Sequence, residues 1–328
     1  MPLRAFIATL VLAVSGIPAN AGPTGYGEAF DTLYAVDLAT RNATPIGVAG
    51  SWGGASIANV EGLTYSPNGK LYAVSDTLLK ALLTIDPATG LASVIGRLGG
   101  SAGLGDTGQG TFDVLDLGLT FTCDGRLWLS SGYTGSFWQV DPATGATTKI
   151  GNLGVTITGL TARGNQVFGA GSQDSPNLYS IDLATGQATA VGPYGQGIDP
   201  ITTASPGFDA GGRLWSILDN VPPLPPTPTP QWSTLATISS KGALATVGDI
   251  TTPTGLKYPS NVTQLPYVGL KGLAITSPCA VAKTAALDPA PATSPAGLST
   301  LALLLLCATG TYLRRRRHTK AAPNNGSA

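Results

Sequence analysis

The sequence predicts an all-β chain folded as a β-propeller of about five four-stranded blades, with a sixth open if a loop conceals a degenerate one. The first observation is a recurring signature: YAVDLATRNATPIG from Tyr34, LTIDPATGLASVIG from Leu83, WQVDPATGATTKIG from Trp138 and YSIDLATGQATAVG from Tyr179. The second is its period, since the signature residues Asp37, Asp86, Asp141 and Asp182 lie 49, 55 and 41 residues apart, the length of a propeller blade. The third is composition. With 44 Gly, 25 Pro and 11% charged residues, the chain is rich in turns, and its middle lacks a sustained helical period.

Each unit reads alike. An inner strand opens on Gly-Leu (Gly62-Leu63, Gly118-Leu119, Gly159-Leu160), a small residue where blades crowd the axis. The turns SPNGK at Ser66, TCDGR at Thr122 and ARGNQ at Ala162 place Gly or Asn where positive φ is needed, and lead into second strands such as LYAVS and LWLSS. The third strand ends at the signature Asp. There the Asp side chain accepts from backbone N–H groups two residues on, and the closing Gly returns the chain as strand four. These Asp residues are therefore expected to make turns, not to catalyse.

A fifth unit runs from about Pro206 through GGRLWSIL to STLATISSKGALATVG, with Ser239 in place of the Asp. Beyond it, GLKGLAIT (Gly269 to Thr276) offers an inner strand with nothing after it, whereas the first copy near Thr32 has outer strands and no inner one. The C-terminal strand is thus expected to complete the first blade, a closure that removes exposed sheet edges.

The ends suggest a location. Residues 1–21, with Arg4, an apolar run and small residues at Ala19 and Ala21, have the pattern of a secretory signal peptide. The propeller domain spans 22–279, and residues 280–295 form a Pro/Ala-rich spacer. Residues 296–313 are an uncharged apolar run that, as a helix, extends about 27 Å and serves as a transmembrane span. The basic tail 314–328, led by Arg314, Arg315, Arg316 and Arg317, belongs on the cytoplasmic side and leaves the propeller outside. Residues 22–279 hold 11 Lys/Arg against 17 Asp/Glu, a net of −6, which argues against a nucleic-acid partner.

Two resemblances attach to these segments. The repeated LYAVDPATG-type pattern resembles that of secreted bacterial propellers, and implies a fold without an activity. The spacer, short helix and Arg cluster together resemble the PEP-CTERM-like and IPTL-CTERM-like sorting tails of bacterial surface proteins. That resemblance implies a sorting transpeptidase as partner and a cell-surface destination. The segment here, DPAPATSPAGLSTLALL, has Pro289, Pro291 and Pro295 but no Pro-Glu-Pro, and a plain single-span membrane anchor is the other interpretation.

Candidate site residues follow from the loops. The short turns share one face, so a ligand site belongs on the long-loop face. Glu61, Asp116 and Lys271 fall at the starts of inner strands beside the channel mouth, and Asp106, Asp113 and Asp199 hang from the same loops. Together these carboxylates suit Ca²⁺ coordination, although no dense Asp spacing marks a calcium loop and no other cofactor is implied. Trp52 and Tyr133 offer stacking surfaces for a glycan, and the arm NVPPLPPTPTPQW (Asn220 to Trp232) offers a docking element for a protein.

The only histidine is His318 in the basic tail, so no Ser-His-Asp, Cys-His or His-metal site exists in the propeller, and no phosphate loop supports nucleotide binding. Carboxylate acid/base chemistry stays open, with Glu61 and Asp116 as the pair. Two functions therefore stand: a non-enzymatic binding module, and a metal-assisted hydrolase or lactonase. Finally, Cys123 and Cys279 can pair in an oxidising compartment only if the chain after Thr276 crosses the base of the ring.

Overall fold

The computed structural model describes residues 23–77, 79–110, 113–172, 174–195, 201–220, 233–251 and 269–281. The expected signal peptide, spacer, transmembrane helix and Arg cluster, most of the Pro-rich arm, and Asp199 lie outside the described residues. Blade 1 begins with β1 (Thr24–Ala29), β2 (Thr32–Asp37) and β3 (Ala43–Val48). A hairpin of β4 (Ser51–Trp52) and β5 (Ala55–Ser56) follows. Blade 2 is β6 (Val60–Tyr65), β7 (Leu71–Ser75), β8 (Ala81–Ile85) and β9 (Ala92–Arg97); blade 3 is β10 (Leu117–Phe121), β11 (Leu127–Ser131), β12 (Ser136–Val140) and β13 (Thr147–Asn152). Blade 4 is β14 (Ile157–Arg163), β15 (Gln166–Gly171), β16 (Asn177–Ile181) and β17 (Ala188–Pro193); blade 5 is β18 (Ile201–Phe208), β19 (Leu214–Asn220), β20 (Ser233–Ile238) and β21 (Leu244–Asp249). The last strand, β22 (Lys271–Ala274), pairs with β1, giving the order β22-β1-β2-β3 and closing the ring.

Five blades therefore account for 20 of the 22 described strands, and ring closure uses the C-terminal strand as the sequence predicts. Two elements escape the repeat pattern. β1 serves as the second strand of blade 1, although its TGYGEA sequence has two glycines and little apolar alternation. The β4–β5 hairpin turns on Gly53 and Gly54, both at positive φ, and stands outside the blades.

The cores lie between blades. Five apolar clusters fill the five seams: Val74 and Leu82 of blade 2, for example, pack with Leu117, Leu119 and Trp138 of blade 3. Trp128 and Phe137 of blade 3 stack 5.4 Å apart and face Ile157 and Leu160 of blade 4. The signature Asp residues make turns as expected. The Asp141 carboxylate accepts from Ala143 N (2.9 Å) and Thr144 Oγ1 (2.7 Å), and Asp182 does the same with Ala184 and Thr185. The Thr144 hydroxyl beside Asp141 and the Ala184 N–H beside Asp182 hold these carboxyls below the usual range.

Two rings of glycine set the seams. On the inner strands a Cβ at Gly62 would lie 2.8 Å from Leu119 Cβ, one at Gly118 3.0 Å from Leu160 N, one at Gly207 2.6 Å from Leu273 O, and one at Gly272 2.7 Å from Leu63 N. Gly159 is blocked likewise by the Ala204 backbone, so each blade meets the next through a glycine. A second ring closes the perimeter. Gly47, Gly96, Gly151 and Gly192 on the outermost strands sit against the backbone of Thr89, Thr144, Thr185 and Lys241 in the next blade's turn, and Gly248 sits against the Arg41 side chain. This explains why the signature ends in Ile-Gly or Val-Gly.

Below the ring, the chain after Thr276 crosses the base. Gly164 N donates to Pro278 O (3.0 Å), and Cys123 and Cys279 are joined in a disulfide with Cα atoms 4.9 Å apart.

Candidate functional site

The inner strands β6, β10, β14, β18 and β22 surround a channel that is wider at its ends than at its middle. Leu63, Leu160 and Leu273 line both a small upper cavity and a small lower one, and so form the waist between them. The upper cavity opens on the long-loop face and is the one with charged side chains, lined by Glu61, Asp116 and Lys271 together with Thr158, Thr203 and Ser205. The lower cavity is bordered by Thr276 and Pro278 of the crossing segment.

Backbone irregularity aims these groups inward. Four of the five inner strands hold one extra residue near the mouth, where their register with the next strand shifts: β6 after Glu61, β14 at Thr158, β18 at Thr202 and β22 after Lys271. Such bulges bend a strand and redirect side chains. Asp116, just ahead of β10, has φ 50°, a conformation Asp tolerates better than most residues.

Glu61 and Lys271 form the centre. The Lys271 ammonium lies 2.5 Å from Glu61 Oε1 and 3.3 Å from Asp116 Oδ1. Glu61 also accepts from Asn59 Nδ2 (2.9 Å) and, through Oε2, from Leu117 N (2.7 Å). Burial pushes the Glu61 carboxyl up, to about 8, against the pull of Lys271. Each of its three partners is a donor, so this geometry holds the carboxylate, and taking up a proton must break a bond. Burial disfavours the charge of Lys271, but Glu61 and Asp116 outweigh it and hold the ammonium well above the usual lysine range. Glu61 and Lys271 are thus held as a carboxylate and an ammonium, a coupled pair in which neither charge is lost without the other.

Further acids stand behind this centre. Asp76 is fully buried, accepts from Leu115 N (2.8 Å) and lies 3.8 Å from Lys80 Nζ; burial raises it to about 6. Asp219 accepts hydroxyls from Ser233 (2.6 Å) and Thr203 (3.2 Å), and burial raises it too, to about 6. Neither was selected by sequence, because both end second strands and the repeat pattern marks that position in no special way. The mouth residues did leave a trace: Glu-Gly-Leu, Thr-Gly-Leu and Lys-Gly-Leu put a polar residue before the same Gly in three units.

The other candidates separate. Asp106 clips its loop to blade 3, accepting from Thr134 Oγ1 (2.9 Å) and Lys149 Nζ (3.2 Å). Asp113 pairs with Lys80 (2.8 Å) and accepts from Gly108 N (2.5 Å). Both are occupied within the loop that leads to Asp116. Trp52 sits on the β4–β5 hairpin and does not line the mouth. Tyr133 is 51% exposed and adjoins Asp116: Tyr133 N donates to Leu115 O (3.1 Å), and Gly132 N donates to Asp116 O (2.8 Å). Among the described residues, no three His, Cys, Asp or Glu side chains are grouped to hold a metal ion. Between Glu61 and Asp116, the ammonium of Lys271 takes the place a cation would fill.

No protein-family model matches the chain, and no match is found among curated proteins. Several solved structures match parts of the chain at low identity. A nidogen/laminin complex matches with a TM-score of 0.46 at 10% identity, over 79% of this chain and 100% of that one. A Bacteroides caccae protein of unknown function matches at 0.42 and 9% identity, over 76% and 99%. Regucalcin, a calcium-binding protein from Agrobacterium tumefaciens, matches at 0.39 and 17% identity, over 70% and 75%.

Proposed function

We propose that this chain is an exported propeller that works as a non-enzymatic binding module, taking a polar ligand into the channel mouth on its long-loop face. The observation that carries this is the mouth itself: an upper cavity ringed by polar side chains from all five blades, narrowed below by three leucines. A concave mouth with a few convergent polar groups is a feature that ligand sites have in common. Export and a C-terminal tether, as a membrane anchor or a sorting tail, rest on the sequence of residues 1–21 and 296–317.

Orientation fits a tethered receptor. Pro23 O accepts from Leu38 N at the short-turn face, and Thr276 to Cys279 cross the base. Both ends of the described ring therefore leave on the side away from the mouth.

The second reading, a metal-assisted hydrolase, needs Glu61 and Asp116 to hold an ion in place of Lys271. Elemental analysis and a thermal-shift series of the purified full chain separate the two. A binding module gives no stoichiometric metal, no loss of Tm in EDTA, and a rise in Tm with a metal-free polar compound. A stoichiometric divalent ion whose removal lowers Tm would overturn it in favour of the hydrolase.

A further inference from the structure

We infer that the Cys123–Cys279 disulfide is a redox latch on the closing strand of the ring, opened and remade by exchange with a dithiol partner. This concerns how the mouth is held together, and its test does not depend on what the mouth binds. Position opens the bond to exchange. The two cysteines meet on the base, where Cys279 is exposed and Cys123 half-buried. Exposed disulfides are the labile and regulatory ones, because the attacking thiolate must reach a sulfur. A thiolate of the partner attacks the Cys279 sulfur, the S–S bond breaks, and Cys123 leaves as a thiolate that takes up a proton. The partner's second thiol then attacks the mixed disulfide and releases Cys279 as a thiol. Two electrons and two protons have passed from the dithiol to the cystine, and the partner carries the new S–S bond; the reverse sequence remakes the latch.

What the bond holds is β22. This strand has four residues, and its pairing with β1 joins Tyr26 to Ala274 and Glu28 to Lys271 across a register shift. The other four blades are each built from consecutive strands and need no such closure. At the mouth, β22 carries Lys271 to Glu61 and Asp116, and backbone N–H groups of Leu270 and Gly272 donate to Ser233 Oγ (2.7 Å) and Ser205 Oγ (2.9 Å). At the base, the same segment ends in the covalent bond to blade 3. With the bond intact, a closing strand that leaves the ring stays tethered at Cys279 and gains little freedom. Once the bond is reduced, non-covalent contacts alone hold the segment, and the entropy gained on opening rises. Opening withdraws Lys271 and leaves Glu61 and Asp116 without their ammonium, so a reaction at the base is felt at the mouth.

The test treats the purified full chain with dithiothreitol in the absence of denaturant, counts thiols by alkylation, and follows amide hydrogen exchange by mass spectrometry. Only Cys307 should alkylate before reduction and all three cysteines after it. Exchange should then rise at least tenfold in peptides covering β22 and β1, while β7–β8 and β15–β16 keep their protection, and reoxidation should restore the first pattern. Cys123→Ser/Cys279→Ser should show the reduced pattern without dithiothreitol and no further response to it. A bond that is reduced only after unfolding in guanidinium would overturn the latch. So would a reduction that leaves exchange unchanged, or that raises it equally in every blade, as a simple staple on global stability predicts.

Discussion

Glu28 is the most exposed point of the argument from burial. It lies on β1 opposite Lys271 in register, has no accessible surface, and neither carboxyl oxygen has a hydrogen-bond partner. Burial, reinforced by Asp31, pushes its carboxyl well above the usual range. A buried polar group without a partner costs about 1–3 kcal/mol, so Glu28→Leu should stabilise the protein by that order at pH 5. The gain should then grow with pH. A raised folded pKa means the folded state binds the proton more tightly, so wild-type stability is greatest below the ordinary glutamate value and falls as pH rises towards the folded value, by up to about 1.4 kcal/mol per unit. Glu28→Gln removes the titration but keeps a buried polar group, and should flatten the slope without the full gain. Guanidinium unfolding of the full chain at pH 5, 6, 7 and 8 reads all three. A Glu28→Leu protein less stable than wild type, or a difference constant across pH, would refute the reasoning by showing that the carboxyl has a partner.

Three more outcomes are expected. Lys271→Met should cost about 3–5 kcal/mol by leaving Glu61 buried and uncompensated, and Lys271→Met/Glu61→Gln should recover most of it in a double-mutant cycle. Gly96→Ala, whose Cβ would collide with the Thr144 backbone, should lower stability by about 2 kcal/mol or more, whereas Gly53→Ala, in open space, should cost only the roughly 1 kcal/mol of its left-handed φ; paired thermal melts decide. Replacing Cys123 and Cys279 by Ser should remove about 5 kcal/mol on the chain-entropy model for a separation of 156 residues, read as a reduced midpoint in urea.

The blades were legible because turn chemistry repeats: Asp-Pro-Ala-Thr-Gly has one backbone solution, and its copies count the units. Closure by β22 was legible because an orphan inner strand and an incomplete first blade complement each other. The mouth was legible only in part. Glu61, Asp116 and Lys271 follow from their position ahead of inner strands, but their meeting depends on register shifts that leave no mark beyond the polar residue before Gly. Asp76, Asp219 and Glu28 were hidden because they stand where strands of every blade carry unremarkable residues, and only packing makes them buried. The outer glycines were visible in every signature, yet the reason for Gly47, Gly96, Gly151 and Gly192 lies in the turn of the next blade, from 34 residues on for Gly151 to 49 for Gly192.

The Cys123–Cys279 bond also decides where force goes. β22, the closing strand, has four residues, and tension on the chain beyond Val281 would otherwise act directly on its pairing with β1. Instead the pull enters the ring at Cys123, in the turn between β10 and β11 of blade 3, a five-residue strand pair with register intact along its length. The closing strand then sits in a slack loop, and any pull on the chain beyond Val281 reaches blade 3 before it reaches the pairing of β22 with β1.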